Sequence, residues 1–406
     1  MSNRQKRVQS HDRSVAGQNL TRRSKQVNFY LHGDRTRSNA HIQELDEDLT
    51  MPRLYTPVCK LFDIEVPIFA AGMADVTLAP LVAAVSAAGG LGTLGVTFFT
   101  PDRLRAEIRA VRRLTDRPFG VGLLFPTDIP SDRKRQVVPP FPGFMQDLLD
   151  EVAGLRGDPP PPPLTLELAE AQVKVALEER VPVIAAGLGT PAWLIERAHK
   201  AGTKVVSLVG STRQARQAEA FGADCVIAQG MEAGGHTGLV TTLVLVPNAA
   251  NTLTIPVLAA GGIVNGEGIA AALACGAQGA WIGTRFIATA EASAHINHKR
   301  GIVAAGENGT AVSRCYTGKP SRILRNQVQE RWKGHESEIL PMPWQAMRIE
   351  ELVEPAKANG RVDLANFPTG QGAGMIGDIL PAAELLKRLV LETIAALDRT
   401  SSYTKS

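Results

Sequence analysis

A single histidine lies inside a glycine-rich stretch, AQGMEAGGHTG, at residues 228–238. Four glycines surround His236, and the apolar run DCVI precedes the stretch. Glycine lets the backbone approach a bound group closely, and imidazole is well suited to exchanging a proton near neutral pH. A histidine can also simply cap a loop, but the four glycines favour a chemical role. We therefore expect His236 to transfer a proton or stabilise charge beside a flat ligand, with Glu232 orienting the loop or His236.

Two further glycine-rich segments contain groups that can bind an anion. Gly261 and Gly262 lie in AAGGIVNGEG, where the absence of a Cβ lets backbone amides approach a phosphate. The same segment starts a helix, whose first N–H groups favour an anion. Gly283 and Thr284, in IGTRF, add another amide and a hydroxyl. The glycines could serve tight turns alone, but the presence of both segments predicts a phosphate site.

Eight short apolar runs, separated by helical stretches, must position these loops. Each run is apolar throughout, as expected for parallel strands buried on both faces. The intervening segments, such as PDRLRAEIRAVRRLT, carry apolar residues at three- and four-residue spacing. Eight successive βα units predict an α/β fold of the (β/α)8 TIM-barrel type. The runs are PIFAAG (67–72), GLGTLGV (90–96), FGVGLLF (119–125), VPVIAAG (181–187), KVVSLVG (204–210), DCVIAQG (224–230), PVLAAGG (256–262) and AWIGTRF (280–286).

An open doubly wound sheet is the structural alternative. Its nucleotide-binding signature is GxGxxG after the first strand. The first strand of this chain ends AAGMAD instead, so the barrel is the favoured fold.

In a barrel, the order of the strands indicates where a ligand binds, and here it predicts which ligand. The loops after the seventh and eighth strands commonly form a phosphate site, and the two anion-binding segments occupy those positions. A phosphate there fits flavin mononucleotide (FMN), whose ring would lie across the strand ends. It would meet Ala71, Gly72 and Met73 at the tip of the first strand. Gln229, at the tip of the sixth, has an amide that can donate to and accept from the flavin edge.

Two regions interrupt the regular spacing. Residues 126–164 separate the third strand from its helix and contain the stiff proline run DPPPPP. After the eighth strand the repeat stops, and we expect an appended C-terminal helical lobe at residues 291–406 that covers the barrel mouth. The sequence thus predicts a disordered basic extension at residues 1–50 and an FMN-binding barrel at residues 51–290, with the insertion at 126–164.

Composition argues against several classes of protein. The 406 residues carry a net charge of +4, but nine basic residues lie among the first 37, so nucleic acid is not an expected partner of the nearly neutral remainder. The uncharged run from Val76 to Phe99 divides into a helix and a strand, so no membrane segment is expected. Four cysteines without a CxxC pair, and the absence of clustered histidines, predict no metal site and fit a reducing cytoplasm. The oligomeric state is left open.

The ordered motifs of the chain resemble the nitronate monooxygenase family, formerly called 2-nitropropane dioxygenases. The resemblance runs from about residue 54 to about residue 397. It implies a (β/α)8 barrel with FMN and no metal, in which alkyl nitronates are oxidised by O2 to carbonyl compounds and nitrite. The motifs that carry it are PIFAAGMADVTLAPLVAAVSAAGGLGTLG, AQGMEAGGHTG, PVLAAGGIVNGEGIAAALACGAQGAWIGTRF and GQGAGMIGDILPAAELL.

The resemblance also implies roles for individual residues. It makes His236 the catalytic histidine, which stabilises the charge of a nitronate or removes the α-proton of a neutral nitroalkane. Gln371, in TGQGAG, matches a C-terminal glutamine near the flavin. Two positions depart from the pattern, since Gly122 replaces a flavin-contacting asparagine of many members and Gly72 replaces a proline. The residues implied to touch FMN are Ala71, Gly72, Met73, Gln229, Gly234, Gly261, Gly262, Gly283, Thr284 and Gln371.

A second resemblance keeps another function open. GMEAGGHTGLVTTLVLVP and GTRFIATAEASAH are similar to segments of the FMN-dependent enoyl-acyl carrier protein reductase of the second type, which takes hydride from NAD(P)H. The C-terminal extension and GQGAG favour the monooxygenase, whereas TTLVLVP favours an NAD(P)H-dependent reductase of enoyl thioesters or quinones. A flavoprotein that only binds or senses is a third hypothesis, against which the presence of His236 argues.

Overall fold

The computed structural model describes residues 53–126, 138–157 and 162–404. The predicted basic extension at residues 1–50 lies outside the described residues, as do parts of the proline-rich insertion. The strands are β1 (Ile68–Ala70), β2 (Leu91–Gly95), β3 (Gly120–Leu124), β4 (Val183–Gly187), β5 (Lys204–Val209), β6 (Cys225–Gln229), β7 (Gly235–His236), β8 (Val257–Ala260), β9 (Gly279–Ile282), β10 (Thr310–Ser313) and β11 (Ser321–Leu324).

The helices alternate with the strands and then continue to the C-terminus. None of those among the described residues is both long and apolar enough to cross a membrane. They are α1 (Pro57–Phe62), α2 (Ala79–Ala87), α3 (Pro101–Leu114), α4 (Gln146–Val152), α5 (Leu166–Glu178), α6 (Ala192–Lys200), α7 (Thr212–Ala220), α8 (Thr242–Thr252), α9 (Gly266–Ala274), α10 (Thr284–Ile287), α11 (Ile296–Ala304), α12 (Gln327–Arg331), α13 (Trp344–Arg348), α14 (Glu350–Ala358) and α15 (Ala382–Ser401).

Eight of the strands close into a parallel barrel, in the order β1-β2-β3-β4-β5-β6-β8-β9. The ring closes where β1 pairs with β9, and Phe69 lies opposite Trp281. The predicted (β/α)8 barrel and its eight strands are confirmed. The eighth run was predicted too long, because the strand ends at Ile282 and Thr284 already begins α10.

Burial on both faces explains why the strands are apolar throughout. Side chains that point inward, such as Phe69 and Ile227, fill the barrel with Trp281. Their outward-pointing neighbours, such as Val121 and Val226, pack against the surrounding helices. Because alternate residues of a strand face opposite sides, burial on both faces leaves few positions for a solvated side chain, and Lys204 at the start of β5 is one of them.

Helix α15 packs against α9 and α2 on the outside of the barrel. Leu385 and Leu389 of α15 are buried with Leu81 of α2 and Ile269 of α9. The helix therefore fills the place of the eighth barrel helix. The residues between β9 and α15 form a long insertion into the last βα unit, and they contain β10 and β11 as well as helices.

The two regions that interrupt the repeat pack together. Met145 and Leu148, from the described part of the 126–164 insertion, are buried with Trp332 and Leu352 of the C-terminal region. Ion pairs join the same two regions, between Arg331 and Asp147 and between Arg361 and Glu151. We call this shared unit, residues 138–157 with 305–367, the lobe.

The contact between α9 and α15 makes a testable prediction about stability. A Cβ on Gly266 would lie 2.2 Å from Cβ of Glu392 and 2.3 Å from the backbone nitrogen of Thr393. We expect Gly266→Ala to lower the free energy of unfolding by about 1–3 kcal/mol, because overpacking displaces α15. Chemical denaturation measures this. Gly306→Ala, whose added Cβ meets nothing within 4 Å, is the matched control. Equal midpoints for the two variants would contradict the tight contact.

Candidate active site

The turn at residues 369–372 lies across the ends of two barrel strands, β6 and β9. The amide of Gly370 donates to Oγ1 of Thr284 at 2.8 Å, after β9. The amide of Gln371 donates to the carbonyl of Glu232 at 2.8 Å, after β6. A Cβ on Gly234 would lie 2.7 Å from the Gly370 nitrogen, so only glycine fits there. Three predicted residues, Gly234, Thr284 and Gln371, are thus brought together at the backbone of this turn.

The predicted phosphate loops lie next to this turn. Gly261 and Gly262 have φ values of +106° and +72°, a conformation that glycine adopts without strain. The amides of Gly261, Gly262 and Gly283 donate to no acceptor within the part of the chain that the structure describes. Three backbone donors at neighbouring strand ends are therefore available to an anion.

Helix α9 contributes less to this anion site than its sequence suggests. The amide of Gly266 donates to Oε2 of Glu392 at 2.9 Å, and the amide of Gly268 donates to Oδ1 of Asn265 at 2.9 Å. The expectation that these first helical amides bind a phosphate is wrong for both residues, because protein acceptors already occupy them. The amides of these two residues are therefore unavailable to a phosphate, whereas those of Gly261, Gly262 and Gly283 in the loops are not taken up in this way.

Small residues line the barrel mouth at the ends of β1 to β3. Ala71 points into the barrel, and a Cβ on Gly122 would lie 3.5 Å from Cα of Gly72. Beneath them, Oγ1 of Thr93 is buried and has no hydrogen-bond partner. The floor of the mouth is thus backbone and methyl groups, which leaves room for a planar ring.

Thr77 holds the tip of β1, a role that the sequence did not reveal. Its hydroxyl donates to the carbonyl of Ala71 at 2.9 Å and accepts from the amide of Met73 at 2.7 Å. The sulfur of Met73 lies 3.5 Å from the Cβ position of Gly283. The predicted residues of the first strand therefore border the loop after β9.

His236 is carried by a small antiparallel sheet rather than by the barrel itself. Strand β7 pairs with β11, so that His236 lies opposite Ser321, and β10 completes the sheet. The side chain of Gln229 donates from Nε2 to the carbonyl of His236 at 2.8 Å. His236 Nε2 lies 3.0 Å from Oγ1 of Thr317. Thr317 is a second residue that sequence reasoning missed, because only the fold brings it to the histidine.

Two predicted side chains hold the loop around His236. The Nε2 group of Gln229 uses one of its two N–H donors on the carbonyl of His236, which leaves the second N–H and the Oε1 atom for a ligand. Glu232 accepts from the amide and the hydroxyl of Thr242, at 3.0 and 2.8 Å. Of its two predicted roles, Glu232 therefore orients the loop, by tying it to the start of α8.

Burial and a nearby cation keep the imidazole of His236 neutral. Together, burial and the charge of Lys319 lower the pKa of His236 to about 4. Lys319 makes no ion pair with another described residue. The barrel mouth thus combines a neutral imidazole, an uncompensated ammonium and free amides, an arrangement that suits an anionic ligand beside a proton acceptor.

Comparison with known proteins decides the family. The model of the nitronate monooxygenase family matches residues 55–392. The chain belongs to the nitronate monooxygenase family. It is therefore an enzyme, an oxidoreductase of a family that depends on FMN, and the predicted resemblance is confirmed.

Individual relatives agree with this assignment. A probable nitronate monooxygenase of Staphylococcus saprophyticus is 32% identical over 364 residues, covering 86% of this chain and 100% of the relative. The structure of FabK from Thermotoga maritima has a TM-score of 0.71 at 36% identity, covering 86% of this chain and 99% of that one. Nitroalkane oxidase from Streptomyces ansochromogenes has a TM-score of 0.70 at 34% identity, with 85% and 99% covered.

This nitronate monooxygenase-family chain has a second buried histidine beside the site. Nε2 of His298 lies 3.1 Å from Oγ1 of Thr369, and its ring stacks on Phe367 with centroids 4.6 Å apart. Burial lowers the pKa of His298 to about 4. Sequence reasoning did not identify His298, which contacts the turn at residues 369–372 through Thr369.

The electrostatic assignment of His236 can be tested by titration. We expect its imidazole to titrate near the pKa of about 4, and Lys319→Met to raise this value, because a nearby cation disfavours the imidazolium. NMR of histidine-labelled protein measures the pKa. His298 is the internal control, since burial alone causes the lowering of its pKa. An unchanged His236 pKa in Lys319→Met would show that the Lys319 ammonium does not act on the imidazole.

The turn over the barrel mouth makes a prediction about cofactor binding. In Gly234→Ala the new Cβ would push away Thr369 and Gly370, so we expect FMN affinity to fall by about tenfold or more, since overpacking costs about 1–3 kcal/mol. Flavin fluorescence titration gives the affinity. Gly210→Ala, whose Cβ has no neighbour closer than 3.8 Å, should bind FMN normally. Equal affinities would show that the turn does not shape the cofactor site.

Proposed function

We propose that this enzyme binds FMN and oxidises alkyl nitronates with O2 to carbonyl compounds and nitrite. The observation that carries the proposal is the meeting of a neutral His236 with Lys319 and three free loop amides at one end of the barrel. Membership of the nitronate monooxygenase family and the likeness to nitroalkane oxidase support the same chemistry.

The residues at the barrel mouth fit both ends of FMN. The free amides of Gly261, Gly262 and Gly283, with Thr284 beside them, suit its phosphate. The small-residue floor suits its ring, with Ala71, Gly72, Met73, Gln229, Gly234 and Gln371 around it. Bound FMN would supply the redox chemistry that links oxidation of the substrate to reduction of O2.

Two groups would act on the substrate, a positively charged ammonium and a neutral imidazole. The Lys319 ammonium attracts the negative charge of a nitronate. The neutral imidazole of His236 can accept the α-proton of a nitroalkane, which yields the nitronate within the site. Because Gln229 fixes the backbone of His236 and Thr317 fixes its ring, little reorganisation is needed when the substrate arrives.

The NAD(P)H-dependent reductase of enoyl thioesters or quinones is the second candidate function. Its specific support is the likeness to FabK and the segment TTLVLVP, which spans the start of α8. The unpaired Lys319 would equally suit a phosphate of a nicotinamide nucleotide. The two candidates differ in the electron donor, and this difference can be measured directly.

Anaerobic stopped-flow spectroscopy separates the two functions. The FMN-loaded protein is mixed separately with propyl-2-nitronate, NADH and NADPH. Rapid flavin reduction by the nitronate alone is the expected result. Fast two-electron reduction by NADH or NADPH, with no response to the nitronate, would replace the proposed function with the reductase.

Replacement of the histidine tests the catalytic assignment. We expect His236→Asn to keep bound FMN and lose about 100-fold or more of its turnover, the usual contribution of a proton-transfer group. His199→Asn is the matched control, since His199 pairs with Asp224 on the surface of α6. Steady-state oxygen consumption gives the turnover. Full activity in His236→Asn would remove the histidine from the mechanism, and a binding-only flavoprotein would show no turnover in any variant.

A further inference from the structure

The turn before β11 holds Thr317 rigidly against His236. Gly318 has a φ of +84°, and a Cβ there would lie 2.4 Å from the carbonyl oxygen of Leu340. The amide of Gly318 donates to the carbonyl of Arg314 at 2.8 Å, and Nε of Arg314 donates to the carbonyl of Gly318 at 3.0 Å. The position of the Thr317 hydroxyl is therefore set by the backbone of the lobe.

Three groups surround the hydroxyl of Thr317. His236 Nε2 lies at 3.0 Å, the carbonyl of Lys319 at 3.2 Å and the amide of Lys319 at 3.3 Å. A threonine hydroxyl donates one hydrogen bond and accepts two. The Lys319 amide can only donate and the Lys319 carbonyl can only accept, so the proton state of His236 decides whether all three contacts are made.

Only one tautomer of the imidazole satisfies the whole arrangement. If Nε2 carries the proton, Thr317 accepts from His236 and from the Lys319 amide and donates to the Lys319 carbonyl. If Nδ1 carries the proton, Thr317 must donate to Nε2, and the contact with the Lys319 carbonyl is lost. A neutral histidine has one N–H and one bare nitrogen, so the first arrangement leaves Nδ1 bare. Nδ1 bonds to no other described residue.

We propose that Thr317 is a positioning residue that keeps the proton of His236 on Nε2 and thereby makes Nδ1 the atom that accepts the substrate proton. In this step the Cα–H bond of a neutral nitroalkane breaks. Its proton moves to Nδ1, and the electron pair forms the C=N bond of the nitronate. A bare Nδ1 cannot donate to an anion that arrives already deprotonated. The tautomer follows from the hydrogen bonds alone, whereas the transfer of a nitroalkane proton to Nδ1 rests on the proposed function.

NMR of the imidazole nitrogens is the direct test. The FMN-loaded protein is labelled with 15N-histidine, and the His236 signals are assigned by their loss in His236→Asn. The wild type and Thr317→Ser, which keeps the hydroxyl, should both show the Nε2–H tautomer. Thr317→Val, which removes the hydroxyl, should shift the population toward Nδ1–H. An Nδ1–H signal in the wild type, or an unchanged tautomer in Thr317→Val, would overturn the proposal. The wild-type and Ser measurements decide it even if the Val variant does not fold.

Kinetics then test the consequence for substrates. We expect Thr317→Val to lower kcat with 2-nitropropane by about 5–10-fold, the effect of one hydrogen bond, with Thr317→Ser restoring it. Turnover of propyl-2-nitronate should change less, because it needs no proton transfer to Nδ1. Equal losses for both substrates would refute the proton-acceptor role. Inactivity of the wild type with both substrates, with the Nε2–H signal intact, would instead refute the proposed function and leave the tautomer assignment standing.

Discussion

The pairing of β7 with β11 is the constraint on which the candidate site depends. A strand of only two residues, Gly235 and His236, leaves the barrel loop after β6 and is held by a strand that follows the barrel in sequence. A two-residue strand has no stability of its own. The position of His236 therefore depends on the folded lobe, which contributes β11, as well as on the barrel, from which β7 extends.

The lobe also determines the electrostatic character of the mouth. Its turn at residues 317–319 brings a hydroxyl and an ammonium to the histidine, while the turn at residues 369–372 lies over the glycine-rich loops. A barrel mouth open to water would screen such charges strongly. Burial by these segments keeps the imidazole neutral and reduces the screening of the Lys319 charge. The segments that exclude water from the mouth therefore also set the charge around His236.

The sequence predicts the barrel well because each strand is recognisable from a short stretch of neighbouring residues. Parallel strands buried on both faces appear as continuous apolar runs, and the order of the runs places Gly261, Gly283 and His236 at one end of the barrel. The contacts that modify this site are distant in sequence. Glu392 takes an amide of α9 across 126 residues, and Thr317 meets His236 across 81. Neither pairing leaves a periodic pattern in the sequence. The same holds for the packing of residues 138–157 against the C-terminal region.

The placement of α15 has a consequence for how the chain reaches its native state. Two neighbouring barrel elements, β9 and α15, are separated by about a hundred residues of intervening chain. The apolar residues of α2 and α9 that α15 covers in the fold therefore lack this partner until α15 itself has been synthesised. Bringing distant segments together carries an entropic cost that a compact intervening segment reduces. The two ends of the intervening segment meet, since the amide of Ala290 donates to the carbonyl of Leu380 at 2.9 Å, and this contact keeps α15 beside its strand despite their distance in sequence.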